Sequence, residues 1–554
     1  MRIACAAVGA TGEVCAVGDP WAGEWTGTPR AFLRELKLRA KVKGREHLRV
    51  WCADLDRLYR ALVADGWTPE PAGLGFGAGG LSVIEVSGRC RITSTAGALP
   101  SSVADELTGA PAELLEVMNA AARAVDDAGG TLTGSLTRSA LEVVRAHAPR
   151  WTSWPEPDGG PLTDAAWSAI HAGLVKIWED RDVVTVHGAR DLPRAWLGEP
   201  DETLPRGWTL RDEDRVSAYA AEACRPLPSV HGPAYDDADA PGGALVRCII
   251  DLEGWTGIAI PVRVAHHGEG TVTVAVSAGR WETWATSDLV AYCRARGASV
   301  DVLHAFGWKH AERYLEPGMR ALAQAKAGHA PGSVGRRIMS AARQRAIGGL
   351  AQREPAEAVL PAADLERMTD AELRAARVRA CVGKLHGWAL VQYEDTGRPP
   401  RGTVPVWTAF VVTRAWIALC ERLEAIRAAG GRPLYCDTDG VLYACPPDVE
   451  IERGDALGEW QERGRPEWVL HERLKLYARG TGSTISAAAS AGVPRADLLW
   501  YLEGGDAPAR LETVREQCSR GHLDPQEIAA WKTRTRERTR PAAPTPQLRR
   551  PRRR

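Results

Sequence analysis

The sequence predicts an α+β protein built from several domains. Its 554 residues are too many for one ordinary hydrophobic core, so three or four packed units are expected. Short β-branched segments alternate with segments whose apolar residues recur every three or four positions, which predicts strands and helices in one chain. The clearest strand segments are VRCIIDL, GIAIPVRV and TVTVAV, and the clearest helical segments are GMRALAQAKA, RRIMSAARQRAI and TRAWIALCERLEAIRAAG.

Stretches rich in Gly, Pro and Asp indicate breaks between these units. They are RWTSWPEPDGGP, YDDADAPGGA, GHAPGSVG and DTGRPPRGTVP. At the start of the chain, MRIACAAVGATGEVCAVG is interrupted by Gly, Thr and Glu, so we expect a first β-strand there rather than a signal peptide.

Composition narrows the class of protein. The chain is 45% hydrophobic and 25% charged, and no apolar run reaches the ~20 residues of a membrane helix, so no membrane partner is expected. The 12 cysteines occur without C-x-x-C or paired Cys/His spacing, which argues against structural zinc and favours a cytoplasmic location. Net charge is zero, yet residues 533–554 carry nine Arg against one Glu. This predicts a basic tail that binds a polyanion, with a purely solubilising tail as the alternative.

The stretch LYCDTDGVLY (434–443) carries the chemistry and has two interpretations. It resembles the first motif of haloacid-dehalogenase-type phosphatases, in which Asp437 would be a phosphorylated nucleophile. It also fits the metal-binding turn of a nucleotide polymerase. The phosphatase interpretation needs later parallel strands with a Lys and an acidic pair, and the chain after Asp439 has no Asp-Asp pair.

The polymerase interpretation needs a second carboxylate from a distant strand, because two-metal catalysis requires at least two bridging aspartates. The segment DRVSAYA (214–220) supplies a D-x-x-S-x-Y arrangement far upstream. Lys475 and Tyr477 in ERLKLYA form a K-x-Y pair downstream. The ordered set is much more specific than any single member.

Together these segments resemble the protein-primed branch of family B DNA polymerases. The first palm motif, D-x-x-S-L-Y-P, is matched by Asp214, Ser217 and Tyr219, with Ala220 in place of Pro. The third, Y-x-D-T-D-S, is matched by four residues, with Gly440 in place of Ser; the four are Tyr435, Asp437, Thr438 and Asp439. The resemblance implies an exonuclease-like (RNase H-like) α/β N-terminal domain followed by a right-hand polymerase with palm, fingers and thumb.

The resemblance also implies domain boundaries. In chain order we expect a degenerate exonuclease-like domain (1–145), a connecting segment (146–205), a first palm segment (206–300) and fingers (301–352). An insertion (353–405), a second palm segment (406–450), a thumb (451–520) and a disordered basic tail (521–554) follow. The insertion contains ADLERMTDAELRAARVRA, which is charged and predicts helix rather than a β-hairpin.

Residue roles follow from the same resemblance. Asp214 and Asp439 would hold two Mg²⁺ ions, or Mn²⁺ in their place, with Asp437 as an occasional ligand. Tyr219 would lie beneath the sugar of the incoming dNTP and exclude a 2′-hydroxyl, beside Ser217. Contacts with the primer strand are expected from Lys475, Tyr477, Tyr435 and Thr438.

The fingers motif, K-x-x-x-N-S-x-Y-G, is matched only loosely. Its best counterpart, RRIMSAARQRAIGG (336–349), places Gln344 on Asn and Ile347 on Tyr. Ser340 stands where the triphosphate-binding Lys belongs, so we expect arginines of this helix to bind the phosphates instead: Arg337, Arg343 and Arg345. A solvated basic face is the alternative. A second counterpart is RVRACVGKLHG (377–387).

The N-terminal domain lacks the carboxylates of a proofreading exonuclease. Asp56 in LRVWCADLDRLY matches the second exonuclease motif, but the first strand has no D-x-E and no tyrosine occurs between Tyr59 and Tyr219. One carboxylate cannot hold the two metals of this hydrolysis. The sequence therefore predicts a DNA-directed DNA polymerase without proofreading, from a phage or mobile element, with primer-template DNA, dNTPs and a terminal protein as partners. The alternative is a catalytically impaired polymerase-like protein that binds DNA in a replication or defence complex.

Overall fold

The computed structural model describes residues 3–8, 12–18, 21, 24–40, 48–68, 74–77, 80–87, 90–104, 106–107, 110–148, 154–156, 159–174, 184–187, 202–203, 207–266, 270–352, 357–369, 372, 378–385, 388–393, 399–400, 402–473, 476–481 and 484–490. They form two compact units. The first takes its residues from Met1–Trp151 and Tyr314–Arg398, and the second from Thr152–Arg313 and Pro399–Leu511. The predicted basic tail, 521–554, lies outside the described residues. None of the described helices is long and apolar enough to cross a membrane.

The described helices, in chain order, are α1 (Pro29–Ala40), α2 (Leu55–Ala64), α3 (Ser101–Ala104), α4 (Pro111–Asp127), α5 (Leu136–His147), α6 (Pro161–Gly173), α7 (Ala218–Ala223), α8 (Ser287–Ala295), α9 (Glu316–Gly328), α10 (Val334–Leu350), α11 (Ala362–Arg367) and α12 (Pro405–Ala428).

The described strands are β1 (Ile3–Val8), β2 (Val14–Gly18), β3 (Trp25–Gly27), β4 (Leu48–Cys52), β5 (Leu74–Gly77), β6 (Gly80–Ser87), β7 (Cys90–Ser94), β8 (Val184–His187), β9 (Glu202–Thr203), β10 (Thr209–Arg215), β11 (Leu227–Pro228), β12 (Ala244–Asp251), β13 (Ile260–His266), β14 (Gly270–Val276), β15 (Arg280–Thr286), β16 (Ser299–Gly307), β17 (Ala311–Glu312), β18 (Glu357–Pro361), β19 (Val378–Leu385), β20 (Trp388–Tyr393), β21 (Arg432–Asp437), β22 (Gly440–Cys445), β23 (Trp460–Gly464), β24 (Trp468–Arg473), β25 (Leu476–Thr481) and β26 (Thr484–Ser490).

Local sequence explains where several helices begin. Ser333 caps α10 by accepting a hydrogen bond from the Arg336 amide, and Asp54 caps α2 in the same way. Proline occupies the first turn of α4, α6 and α12, where its missing N–H costs no helical hydrogen bond. The three predicted helical segments coincide with α9, α10 and α12 and the three strand segments overlap β12, β13 and β14, so the type of each element is confirmed.

The first unit is built around a seven-stranded mixed sheet with the order β3-β2-β1-β4-β7-β6-β5. Strands β1, β4 and β7 run parallel, and the other neighbours are antiparallel. Its buried core joins residues of the central strands to α1 and α2, among them Val50, Ile92 and Leu58, all 0% exposed. Helix α4 packs on β1 and β2, and α5, α9 and α10 pack together.

The second unit holds several smaller sheets around the long helix α12. A three-stranded antiparallel sheet, β15-β12-β16, shares a core with α8 and α12. A four-stranded antiparallel sheet has the order β21-β22-β10-β23. Helix α6 packs closely on α12, because a Cβ at Gly173 would lie 2.8 Å from the Val412 side chain. Strands β24, β25, β26, β8 and β9 form a further sheet.

The prediction of a helical insertion at 353–405 is wrong in its secondary structure. Among the described residues of this segment Ala362–Arg367 and Glu372 are helical, while β18, β20 and β19 form a three-stranded antiparallel sheet. The Ala- and Arg-rich run favours helix by intrinsic propensity, but from Val378 onward cross-strand pairing with WALVQY outweighs it. The second fingers counterpart, 377–387, coincides with this strand, so α10 is the better match to the fingers helix.

Candidate active site

The strand register of the second unit brings the two aspartate motifs together. Strand β10 pairs with β22 so that Asp214 lies opposite Gly440, and β21 pairs with β22 so that Asp437 lies opposite the same glycine. Cα atoms of such antiparallel partners are roughly 5 Å apart. The Arg215 amide also donates to the Asp439 carbonyl at 2.7 Å. Asp214 and Asp439 therefore belong to neighbouring strand ends of one sheet.

The D-T-D turn has an unusual backbone. Strands β21 and β22 are joined by two residues, Thr438 and Asp439, and Thr438 has φ of 61°. A positive φ at the first central residue is the position that a type II′ hairpin turn gives to glycine. For a β-branched residue it is strained. Ser217, within the first motif, is the other described non-glycine residue with positive φ, at 53°.

We expect Thr438→Gly to raise the free energy of unfolding by up to ~1 kcal/mol, because glycine adopts positive φ without steric strain. Thr438→Ala is the control, since it removes the hydroxyl but keeps a Cβ in the strained position. Urea unfolding of both variants checks the prediction. A glycine variant no more stable than the alanine variant would show that the turn is not strained.

Electrostatics differ between the two faces of β10. Asp212 and Asp214 share one face, since side chains alternate along a strand. Arg479 contacts the Asp212 carboxylate at 2.5 Å, and Arg463 forms an ion pair with the Asp214 carboxylate. Burial raises the pKa of Asp214, and the Arg463 guanidinium offsets only part of that effect. Burial likewise raises the pKa of Asp212.

Glu213 points to the other face and is fully buried, with 0% of its surface exposed. Its carboxylate accepts hydrogen bonds from Arg422 Nε at 2.9 Å, from the Tyr443 hydroxyl at 2.7 Å and from Arg453. Burial alone would raise the pKa of Glu213, but these three donors hold it below its usual value. The network ties β10 to β22 and α12, and so fixes the strand that carries Asp214.

The other residues predicted to belong to the polymerase site have different surroundings. Tyr219 lies in α7 and is half-buried. Tyr435 is 7% exposed and packs with Leu210, Leu434 and Leu442 in a small hydrophobic cluster. This packing gives Tyr435 a structural role in the sheet. Lys475 and the side chains of Asp437 and Tyr477 lie outside the described part of the structure.

The three arginines predicted to bind phosphates lie on α10 in the first unit. Arg337 donates to both carboxylate oxygens of Glu106, at 2.7 and 2.8 Å, and to the Ser102 carbonyl. Arg343 and Arg345 lie on the same helix, and Lys326 of α9 is close enough to Arg343 for their charges to repel. Burial and this repulsion lower the pKa of Lys326. Ile347 is 3% exposed.

Asp56 lies in the first turn of α2, directly after the carboxyl end of β4. Strand β1, which runs parallel to β4, reads IACAAV and has no carboxylate. Among the described residues no group of three or more His, Cys, Asp or Glu is arranged to hold a metal ion. Of the three aspartates predicted as metal ligands, Asp214 and Asp439 are the two whose side chains the structure describes.

Sequence reasoning missed the charged residues around β10: Glu213, Arg422, Arg453, Arg463 and Arg479. Glu213 had a usable signal, because an acid between two acids on a strand must face the opposite side. The four arginines had no signal in the sequence, since the acidic residues that they pair with lie far away along the chain.

The phosphatase interpretation of LYCDTDGVLY is wrong. That enzyme class places its nucleophile at the end of a parallel strand in a doubly wound domain. Here Asp437 ends a strand of an antiparallel hairpin, and every pairing in its four-stranded sheet is antiparallel.

The chain has an α+β multidomain fold similar to that of solved DNA polymerases. It is similar to Phi29 DNA polymerase complexed with primer-template DNA and incoming nucleotide substrates, with a TM-score of 0.58, 13% identity, and coverage of 89% of this chain and 93% of that one. For the orthorhombic crystal form of that polymerase the TM-score is 0.56 at 13% identity, covering 90% and 93%. For its post-translocation binary complex with primer-template DNA the values are 0.55 and 12%, covering 89% and 92%.

No protein-family model and no curated protein matches the chain by sequence. At 12–13% identity the structural likeness establishes the fold.

Proposed function

We propose that this chain is a template-directed DNA polymerase of the protein-primed branch of family B, adding dNMP to a primer 3′-hydroxyl and lacking proofreading. The observation that carries the proposal is the register of β10 and β22, which sets Asp214 beside the D-T-D turn. Two segments chosen from sequence for the same chemistry thus meet in one sheet, within a fold similar to that of a DNA polymerase.

The donor set fits a hard divalent cation. Asp214 and Asp439 offer carboxylate oxygens on neighbouring strand ends, and both side chains are partly open to solvent. Oxygen ligands of this kind suit Mg²⁺ and Mn²⁺. When bound, Mg²⁺ lowers the pKa of a primer hydroxyl and neutralises the triphosphate and the leaving pyrophosphate.

The chain's own residues bind and orient the reactants. Asp214 and Asp439 hold the cations, with Asp437 as a further ligand. Tyr219 selects the sugar of the dNTP, beside Ser217. Arg343 and Arg345 of α10 are proposed phosphate-binding residues, whereas Arg337, already bonded to Glu106, anchors α10. Thr438 shapes the turn, and Lys475 and Tyr477 hold the primer strand.

The N-terminal domain is proposed to be an inactive exonuclease-like scaffold. Its mixed sheet with parallel β1, β4 and β7 supports the assignment to an exonuclease-like domain. Because β1 contains no carboxylate, this strand cannot supply the second ligand that a two-metal site beside Asp56 would need.

One observation favours the alternative, a polymerase-like DNA-binding protein that no longer polymerises. Ile347 stands where the related motif has a nucleotide-contacting tyrosine, and it is 3% exposed. A buried residue at this position cannot contact a nucleotide.

Primer extension on a primed template with dNTPs and Mg²⁺ separates the two functions. We expect extension by the wild-type chain and none by Asp439→Asn. No extension by the wild type with a DNA, RNA or protein primer would establish the alternative. The same protein, incubated without dNTPs, is expected to leave a 3′-labelled single strand intact, and shortening of that strand would refute the inactive-exonuclease proposal.

Tyr219→Val is expected to raise incorporation of NTP relative to dNTP by roughly 10-fold or more, because removal of the ring opens space for a 2′-hydroxyl and a lost contact of this size is worth about 1–3 kcal/mol. Single-nucleotide insertion with dCTP and CTP measures the ratio. Tyr235→Val, at an exposed tyrosine distant in sequence from the D-T-D turn, is the control and should leave the ratio unchanged. An unchanged ratio in Tyr219→Val would remove this residue from the nucleotide site.

A further inference from the structure

Two aspartates on the same face of β10 are each paired with an arginine, and the two pairs differ in exposure. The Asp212–Arg479 pair is enclosed, with side chains 8% and 11% exposed. In the Asp214–Arg463 pair the Arg463 side chain is 56% exposed and Asp214 is 19% exposed. The first pair is part of the protein interior, whereas the second lies at the surface of the proposed active site.

The Asp214–Arg463 ion pair can separate at little cost in free energy. Exposed ion pairs contribute little to stability because water solvates both partners once they separate. Arg463 comes from β23, next to the irregularity at which the pairing with β10 shifts between Asp212 and Glu213. Its side chain is more than half exposed, so water can solvate it when it leaves Asp214. The enclosed Arg479 has no such freedom.

Arg463 contacts one oxygen of the Asp214 carboxylate, and a divalent cation bound to this carboxylate competes with the guanidinium for its single negative charge. A cation that binds Asp214 therefore weakens the hold of Asp214 on Arg463 at the edge of the site. Arginine binds phosphate oxygens through its planar fork of N–H donors. A phosphate group within reach of the freed side chain is then its natural partner.

We propose that Arg463 is a phosphate-binding residue of the nucleic-acid site, held by Asp214 in the free protein and released when a divalent cation binds. This rests on the proposed function, in which Asp214 is a cation ligand. Because cation and phosphate each disrupt the same Asp214–Arg463 pair, the first to bind removes a cost from the second. Their binding is thus mutually favourable, by about threefold to fivefold for a pair of this exposure.

Mn²⁺ binding to the free, full-length protein tests whether Arg463 competes with a divalent cation for Asp214. Electron paramagnetic resonance titration gives the Mn²⁺ affinity, and the Mn²⁺ binding that is lost in Asp214→Asn is the binding at this site. Arg463→Gln should bind Mn²⁺ about threefold to fivefold more tightly than wild type. The matched control is Arg465→Gln, which removes an equally exposed arginine that is paired with Glu462 instead. Equal or weaker Mn²⁺ binding by Arg463→Gln would overturn the proposal.

Binding of a dideoxy-terminated primer-template, with and without Mn²⁺, tests whether the released Arg463 binds phosphate. The dideoxy end prevents primer extension during the measurement. Mn²⁺ should raise the DNA affinity of wild type. Arg463→Gln should bind DNA more weakly, and Mn²⁺ should raise its DNA affinity less. Arg463→Lys, which keeps the charge, should fall between the two. A parallel titration with dNTP alone identifies the phosphate source, because a loss confined to dNTP would overturn the assignment to the DNA backbone. If Mn²⁺ and DNA bind with mutual enhancement but primers are not extended, the proposed function is refuted and this inference stands. If primers are extended but Mn²⁺ enhances DNA binding equally in wild type and Arg463→Gln, this inference is refuted and the proposed function stands.

Discussion

Glu213→Gln is expected to lower the free energy of unfolding of the second unit by about 3–5 kcal/mol. The carboxylate is 0% exposed and receives hydrogen bonds from two guanidiniums and a tyrosine. The amide removes the negative charge but leaves Arg422, whose side chain is 5% exposed, in the interior. An unpaired charge in such a position is costly, and the amide cannot accept from every donor that the carboxylate served.

Urea unfolding followed by tryptophan fluorescence measures the loss, since Arg422 lies over the Trp460 ring at 5.4 Å. Glu282→Gln is the matched control, because Glu282 pairs with Arg247 where both side chains are about half exposed. The control should lose less than ~1 kcal/mol. A loss of that small size in Glu213→Gln as well would mean that the network contributes nothing beyond a surface pair.

The pH dependence of this effect has a defined sign. Hydrogen bonds hold the pKa of Glu213 below its unfolded value of about 4.3, so its stabilisation is complete above that pH and is lost as pH falls through the folded value. The difference in stability between wild type and Glu213→Gln should be constant from about pH 5 to 8 and shrink only at lower pH. A difference that changes near neutral pH would assign the effect to another group.

The elements of this chain that sequence predicts well are those fixed by local chemistry. Helices α9 and α10 show apolar positions every three or four residues, and Ser333 marks the start of α10 with a cap. Asp214 and Asp439 were proposed from sequence because each lies in a short motif that resembles one of a polymerase family. The insertion could not be predicted, since its Ala- and Arg-rich sequence favours helix and only pairing of β19 with β20 makes it a strand.

Long-range partners explain what sequence could not supply in the site. Glu213 and Tyr443 lie 230 positions apart and meet only because β10 pairs with β22. Arg463 and Arg479 likewise reach β10 from later strands. A single sequence carries the residue types for such contacts but not the register that joins them. The residues that hold the site in place were therefore hidden, while the residues proposed to do its chemistry were visible.

Asp214→Asn is expected to reduce primer extension roughly 10³-fold while leaving stability nearly unchanged. Charge stabilisation by a bound metal is worth several kcal/mol, and a loss of about 4 kcal/mol corresponds to this factor in rate. Asparagine has the same shape as aspartate, and the exposed pair that it breaks with Arg463 contributes less than ~1 kcal/mol. Single-turnover extension and urea unfolding of the same preparation give the two quantities.

Glu213→Gln is the internal contrast for this prediction. The two residues are adjacent on β10, receive the same acid-to-amide change and face opposite sides of one strand. If the site is catalytic, Asp214→Asn loses activity and keeps its stability, whereas Glu213→Gln loses stability first. Should Asp214→Asn instead unfold the second unit as Glu213→Gln does, the carboxylate on the outer face would be part of the scaffold. Full extension by a stable Asp214→Asn would exclude this carboxylate from the chemistry, because loss of a metal ligand must slow a metal-dependent transfer.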